Sequence, residues 1–123
     1  MAYGWIAIGL GLKALWLIWQ LPVGAGWQHA LAAGAFATMI MAVMTRAALG
    51  HTGRAIVAAR PTVLAYGLLT LSALVRVFGP PLVPGAAEAS WIIAGVLWIG
   101  AFGLFGMVYF PILTRPRADG RPG

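Results

Sequence analysis

"SWIIAGVLWIGAFGLFGMVYFPIL" (residues 90–113) carries no charged side chain from one end to the other. A helix crosses the roughly 30 Å hydrocarbon core of a bilayer with about 20 apolar residues. This stretch is long enough, and an arginine-bearing tail, "TRPRADGRPG" (114–123), follows it directly. The rest of the chain has the same character: of 123 residues, 62% are hydrophobic and 8% charged. Soluble domains carry about 25% charged residues, so this composition cannot cover a water-facing surface, and the lipid bilayer is the first expected partner. A net charge of +6 would point to nucleic acid in a soluble protein. Here the arginines gather where loops between membrane segments fall, and nucleic acid is not expected. Without cysteine there is neither a disulfide nor a thiolate metal site.

Working back from 90–113, three more segments qualify. "YGWIAIGLGLKALWLIWQL" (3–21) ends at Pro22 and the glycines of "PVGAG". "QHALAAGAFATMIMAVMTRAAL" (28–49) is expected to stop at Gly50, a residue suited to a helix C-terminal cap. "TVLAYGLLTLSALVRVF" (62–78) opens after Pro61 and is expected to break at "GPP" (79–81). Short connections leave no room for a soluble domain. The expected fold is all-α: a single membrane domain, 1–123, built as an integral bundle of four antiparallel transmembrane helices. A cleavable signal peptide competes for the first segment, but it lacks a basic leader and Lys13 interrupts it.

Orientation follows the arginines. Arg46, Arg54 and Arg60 flank the second connection and Arg115, Arg117 and Arg121 the tail, whereas the opposite side offers Glu88 and, just inside a span, Arg76. Both termini are therefore expected in the cytoplasm. Tyr3, Trp5 and Tyr109 then form an inner aromatic belt, and Trp16, Trp19, Trp27 and Trp91 an outer one.

Few side chains can carry chemistry. Lys13 lies about 15 Å from the start of its helix, near mid-bilayer, where it either snorkels or meets an anion, proton or cofactor. Arg76 and Glu88 share the outer side, where they can pair with each other, or Arg76 can meet a carboxylate-bearing ligand such as a haem propionate. His29 and His51 lie about 33 Å apart along one helix and cannot share a metal, yet either can give a haem one axial ligand. Met41 and Met44 share a helix face, which suits a soft ion such as Cu(I) or, more commonly, packing. Ala30, Gly34, Thr38 and Ala42 on the second helix, and Gly100, Gly103 and Gly106 on the fourth, are expected to let helices approach closely. With two acidic residues in the chain, paired general acid–base catalysis is unavailable and an autonomous enzyme is not expected.

The run "HALAAGAFATMIMAVMTRAALGHTGR" (29–54) resembles the NnrS family, and the resemblance continues through "PTVLAYGLLTLSALVRVFGP" (61–80) to "YFPILTRPRADGRPG" (109–123). These are haem- and copper-containing bacterial membrane proteins associated with the response to nitric oxide. The resemblance implies haem and copper as cofactors, with His29 and His51 as candidate ligands. His29, Arg76 and Glu88 share the outer side by their place in the spans, and a haem edge with its propionates is expected there. Members are much longer, and this chain resembles their C-terminal third. It is therefore expected to be a short relative, a subunit that joins a separate chain carrying the missing N-terminal spans or a second copy of itself, or a fragment without independent activity. A small four-helix transporter is the remaining alternative, although Lys13 stands where such a transporter would carry a glutamate. "GHTGR" (50–54) is expected to form a turn, through Thr52 and Gly53, that aims His51 back at the bundle.

Overall fold

Backbone amides in hydrocarbon find no water to bond, so an apolar chain must satisfy them within itself, as a helix does. The computed structural model describes residues 2–83 and 85–120, and among these residues the chain forms helices and no strand. Arg121 of the tail lies outside the described residues. Four helices are long and apolar enough to cross a membrane: α1 (Ala2–Trp19), α2 (Pro22–His51), α3 (Arg60–Leu82) and α4 (Ala87–Thr114).

α2 is not uniform. It opens with a 3-10 turn, Pro22–Gly26, takes one α turn at Trp27–His29, and widens into a π-helical stretch over Ala30–Phe36. It then runs as a regular α-helix from Ala37 to His51. Where the π stretch ends, the Ala37 N–H reaches the carbonyl of Ala32, five residues back. Such wide turns are rare and occur mostly at functional sites.

Helix bounds differ from expectation: α2 already opens at Pro22 rather than near Gln28, and the C-terminal ends of α2 and α3 lie further on than expected. α2 runs past Leu49 because Gly53, rather than Gly50, takes the left-handed conformation, with φ of +68°. The Gly53 N–H donates to the Gly50 carbonyl and the Arg54 N–H to the Leu49 carbonyl, at 3.2 and 2.9 Å. This is the Schellman arrangement, which satisfies the last carbonyls of a helix. α3 continues through Pro80 and Pro81 to Leu82 instead of breaking at Gly79. Proline costs a helix its bond to the carbonyl four residues back, and at a helix end only two such bonds are lost, those to Arg76 and Val77.

α3 and α4 form the most extensive pair, while α1 packs chiefly on the first half of α2. At the α1–α2 interface Trp5 is buried against Gly34, where a Cβ would run into the indole. The stripe of small residues on α2 is thus a true interface: Ala30, Gly34 and Thr38 are buried. The glycines of α4 are not. Gly103 and Gly106 have nothing within 4 Å of an added Cβ, and Gly100 has only Leu68, at 3.7 Å. α4 instead meets its neighbours through Ser90, Ala94, Ala101 and Tyr109, spaced by four, seven and eight residues, which keeps one seam facing inward. Ala37, Met41, Ala65, Leu69 and Ala101 form the central core.

Outside that core the surface is apolar. Ile92, Ile93, Val96, Ile99, Met107 and Phe110 of α4 are all exposed. Such a surface is solvated by lipid tails rather than water, and the chain reads as a membrane protein. Tyr3, Trp19 and Trp91 are exposed as interfacial aromatics should be. Trp5 and Tyr109 are buried in packing contacts, so they do not belong to an aromatic belt.

Candidate functional site

The α1–α2 and α3–α4 connections lie at one end of the bundle, called here the far end, and the α2–α3 connection and tail at the arginine-rich end. His29 sits at the far end, one residue before the π stretch begins. Its half-buried side chain lines two neighbouring cavities, and Arg76 of α3 lines both with it. The first, of about 320 Å³, is closed by Pro22, Gly26, Val77, Pro80, Pro81 and Trp91. The second, of about 240 Å³, runs down between Ala33, Ser72, Ala94 and Trp98. Together they make a cleft between α2, α3 and α4, apolar and aromatic with one imidazole and one guanidinium. Ligand sites of this kind typically span about 300–1,000 Å³ with a few polar groups among apolar ones.

Local chemistry explains how the cleft is held open. Pro80 and Pro81 cannot donate to the carbonyls of Arg76 and Val77, which leaves acceptors along the wall that His29 faces. Gly26 permits the close approach there: a Cβ on it would lie 3.1 Å from the Val77 carbonyl oxygen. In the second cavity the Ser72 hydroxyl donates to the Ala94 carbonyl at 2.7 Å, which ties α3 to α4 along the cleft.

Arg76 does not pair with Glu88. Among the described residues the one ion pair joins Arg117 to Asp119, and Glu88 is exposed at the start of α4. The Arg76 guanidinium instead stands 5.5 Å from the centre of the Trp91 ring. This cation–π contact leaves its donors available to a carboxylate. Lys13 turns toward the same end, with Nζ 4.7 Å from the centre of the Trp27 ring. It snorkels along its own helix onto an aromatic face, in a separate groove with Trp16, Leu17 and Gln28. The sequence-level reading missed the π stretch after His29 and the roles of Trp91 and Trp98, since a π turn leaves no proline or glycine marker.

The remaining candidates do not gather. Met41 is fully buried in the central core while Met44 is 39% exposed, so the two thioethers face different surroundings. His51 is exposed at the last turn of α2. The expectation that "GHTGR" aims it into the bundle fails, because that segment is the Schellman cap and docks the tail. Arg117 donates from Nη1 to the His51 carbonyl at 2.8 Å, and the Ala118 N–H donates to the Thr52 carbonyl at 3.0 Å. Arg54 donates from Nη1 to the Ile112 carbonyl at 3.3 Å, so it caps α4. Asp119 grips Arg117 through two hydrogen bonds, and the first cause of that guanidinium's raised pKa is this hydrogen bonding. No group of three His, Cys, Asp or Glu side chains among the described residues is placed to hold a metal ion.

Comparison with known proteins adds one match. A family model described as "NnrS protein" matches residues 1–117, most of the chain. No curated protein and no solved structure matches.

Proposed function

Because this chain belongs to the NnrS family, we propose that it is a multi-pass membrane protein that binds haem in the far-end cleft and serves in the response to nitric oxide or nitrosative stress. The observation that supports this reading is the placement of His29 and Arg76 on both parts of one aromatic cleft. A half-buried imidazole there is suited to a single axial bond to iron. Arg76, steadied by Trp91, is suited to a propionate, since a guanidinium meets a carboxylate through paired hydrogen bonds. Val77, Ala33, Ala94 and Trp98 supply apolar walls that would keep water from the ring. Bound haem would contribute an iron able to take a diatomic ligand. His29 and Arg76 would position it and the apolar walls would shield it.

Copper has no comparable assembly among the described residues, since Met41, Met44, His29 and His51 point to different regions. Haem is therefore the cofactor in this proposal. In this reading the chain lies in a bacterial inner membrane with the arginine-rich end in the cytoplasm, and it joins a second chain or a second copy of itself. Reconstitution of the purified chain with haem tests the site. A Soret band is expected that is lost in His29→Ala and shifted or weakened in Arg76→Gln; identical spectra from all three proteins would refute it.

A further inference from the structure

The arginine-rich end holds a polar cavity that the haem reading does not use. It encloses about 250 Å³ and is lined by Thr45, Arg46, Thr62, Tyr66 and Tyr109, with Leu49, Ile56 and Ala58. Thr62 and Tyr109 are each 2% exposed, and their hydroxyls lie 3.2 Å apart. Two hydroxyls carry two protons, and a single bond between them uses only one. Neither makes any other hydrogen bond among the described residues, so one buried O–H is left without an acceptor there at the cavity wall. Arg46, an exposed residue that also lines the cavity, has no acceptor and no ion-pair partner among the described residues. No carboxylate lines the cavity. A spare hydroxyl donor beside an uncompensated guanidinium calls for an anion.

A second groove continues from the first. It measures about 510 Å³ and shares Arg46 and Tyr66 with the polar cavity, then passes Tyr3, Thr38, Met39, Ala42 and Val43 between α1 and α2. Its lining is mostly apolar, and Tyr3 and Val43 are exposed to the lipid side. Arg46 lies five residues before the end of α2, about 7.5 Å along the helix, the depth at which headgroup and acyl chain meet. A charged pocket opening onto an apolar groove at this depth matches an amphiphile with an anionic head.

We propose that this end of the bundle holds one anionic phospholipid, its phosphate between Arg46, Tyr109 and Thr62 and an acyl chain in the groove past Met39 and Val43. Basic pockets between membrane helices are a recurring means of holding acidic headgroups. The site depends on the four helices lying in a membrane and is independent of haem.

Native mass spectrometry of the full-length chain, released from micelles containing equal phosphatidylglycerol and phosphatidylcholine, reads retention directly. Phosphatidylglycerol is expected to remain bound in preference. Arg46→Gln should reduce that retention about fivefold, the equivalent of one basic side chain near the headgroups. Tyr109→Phe should reduce it about twofold, as loss of one hydrogen bond would. Arg60→Gln removes the same charge at the same end but lines neither cavity, so it should change nothing. Equal losses in Arg46→Gln and Arg60→Gln, or equal retention of the two lipids, would overturn the proposal. A large excess of inorganic phosphate should leave the lipid bound. If it displaces the lipid, the site belongs to a soluble anion instead.

Discussion

Gly24→Ala tests how α1 is seated. Gly24 lies in the 3-10 turn that opens α2 and is buried against the backbone of α1. A Cβ there would stand 2.6 Å from the Trp16 nitrogen, 2.7 Å from the Leu12 carbonyl oxygen and 2.9 Å from the Trp16 Cα. Ordinary contact begins at 3.4 Å, so the shortest approach is deficient by 3.4 − 2.6 = 0.8 Å. All three atoms are main chain, and no rotamer change relieves them. α1 must shift as a body or α2 must unwind its first turn, and overpacking of this type costs about 1–3 kcal/mol. Gly103→Ala is the control, because its Cβ enters open space and alanine in a helix gains about 0.5–1 kcal/mol over glycine. Both substitutions restrict the unfolded chain alike, so the difference between them isolates the collision and should be about 2 kcal/mol. Unfolding in mixed dodecyl maltoside–SDS micelles, followed by far-ultraviolet circular dichroism, measures it. If the two variants unfold at the same SDS fraction, α1 does not pack on Gly24 as described.

Other substitutions probe the remaining joints. Gln20 has φ of +53°, a conformation costly for a residue with a Cβ. Gln20→Gly should stabilise the protein by about 0.5–1 kcal/mol after glycine's entropy is set against that relief, visible as a higher SDS midpoint. Gly53→Ala places a Cβ at a left-handed position and against the Asp119 carboxylate. It should cost about 1–2 kcal/mol and expose the Arg117–Ala118 bond to faster trypsin cleavage. Ser72→Ala removes the hydroxyl that spans α3 and α4. A loss of about 0.6 kcal/mol is expected, since the Ala94 carbonyl keeps its own helical donor.

Much of the scaffold is legible in the order of residues. The absence of charge from 90–113, the prolines near 22 and 61 and the run of small residues on the second segment are local features, and hydrocarbon allows them few outcomes. Gly34 against Trp5 bears out the small-residue stripe. The glycines of α4 show the limit of that reasoning, because spacing does not say which side a neighbour occupies. Glycine at 100, 103 and 106 looks like an interface until α3 is found to lie along Ala94, Ala101 and Tyr109.

The candidate site divides in the same way. Singling out His29 and Arg76 requires only the knowledge that ionisable groups are rare and costly in a membrane. Their sharing of one cleft depends on how far α2 is turned by its π stretch and how closely Gly26 lets α3 approach. His51 illustrates the converse, since Gly53 and the docked tail leave it outside. Hydropathy by itself thus determined that four helices would form, because lipid constrains each segment separately. Which faces meet, which polar groups are left with spare donors and which end offers a cleft were decided only by the packed bundle. Those properties depend on pairs of atoms distant in the chain, and no single segment contains them.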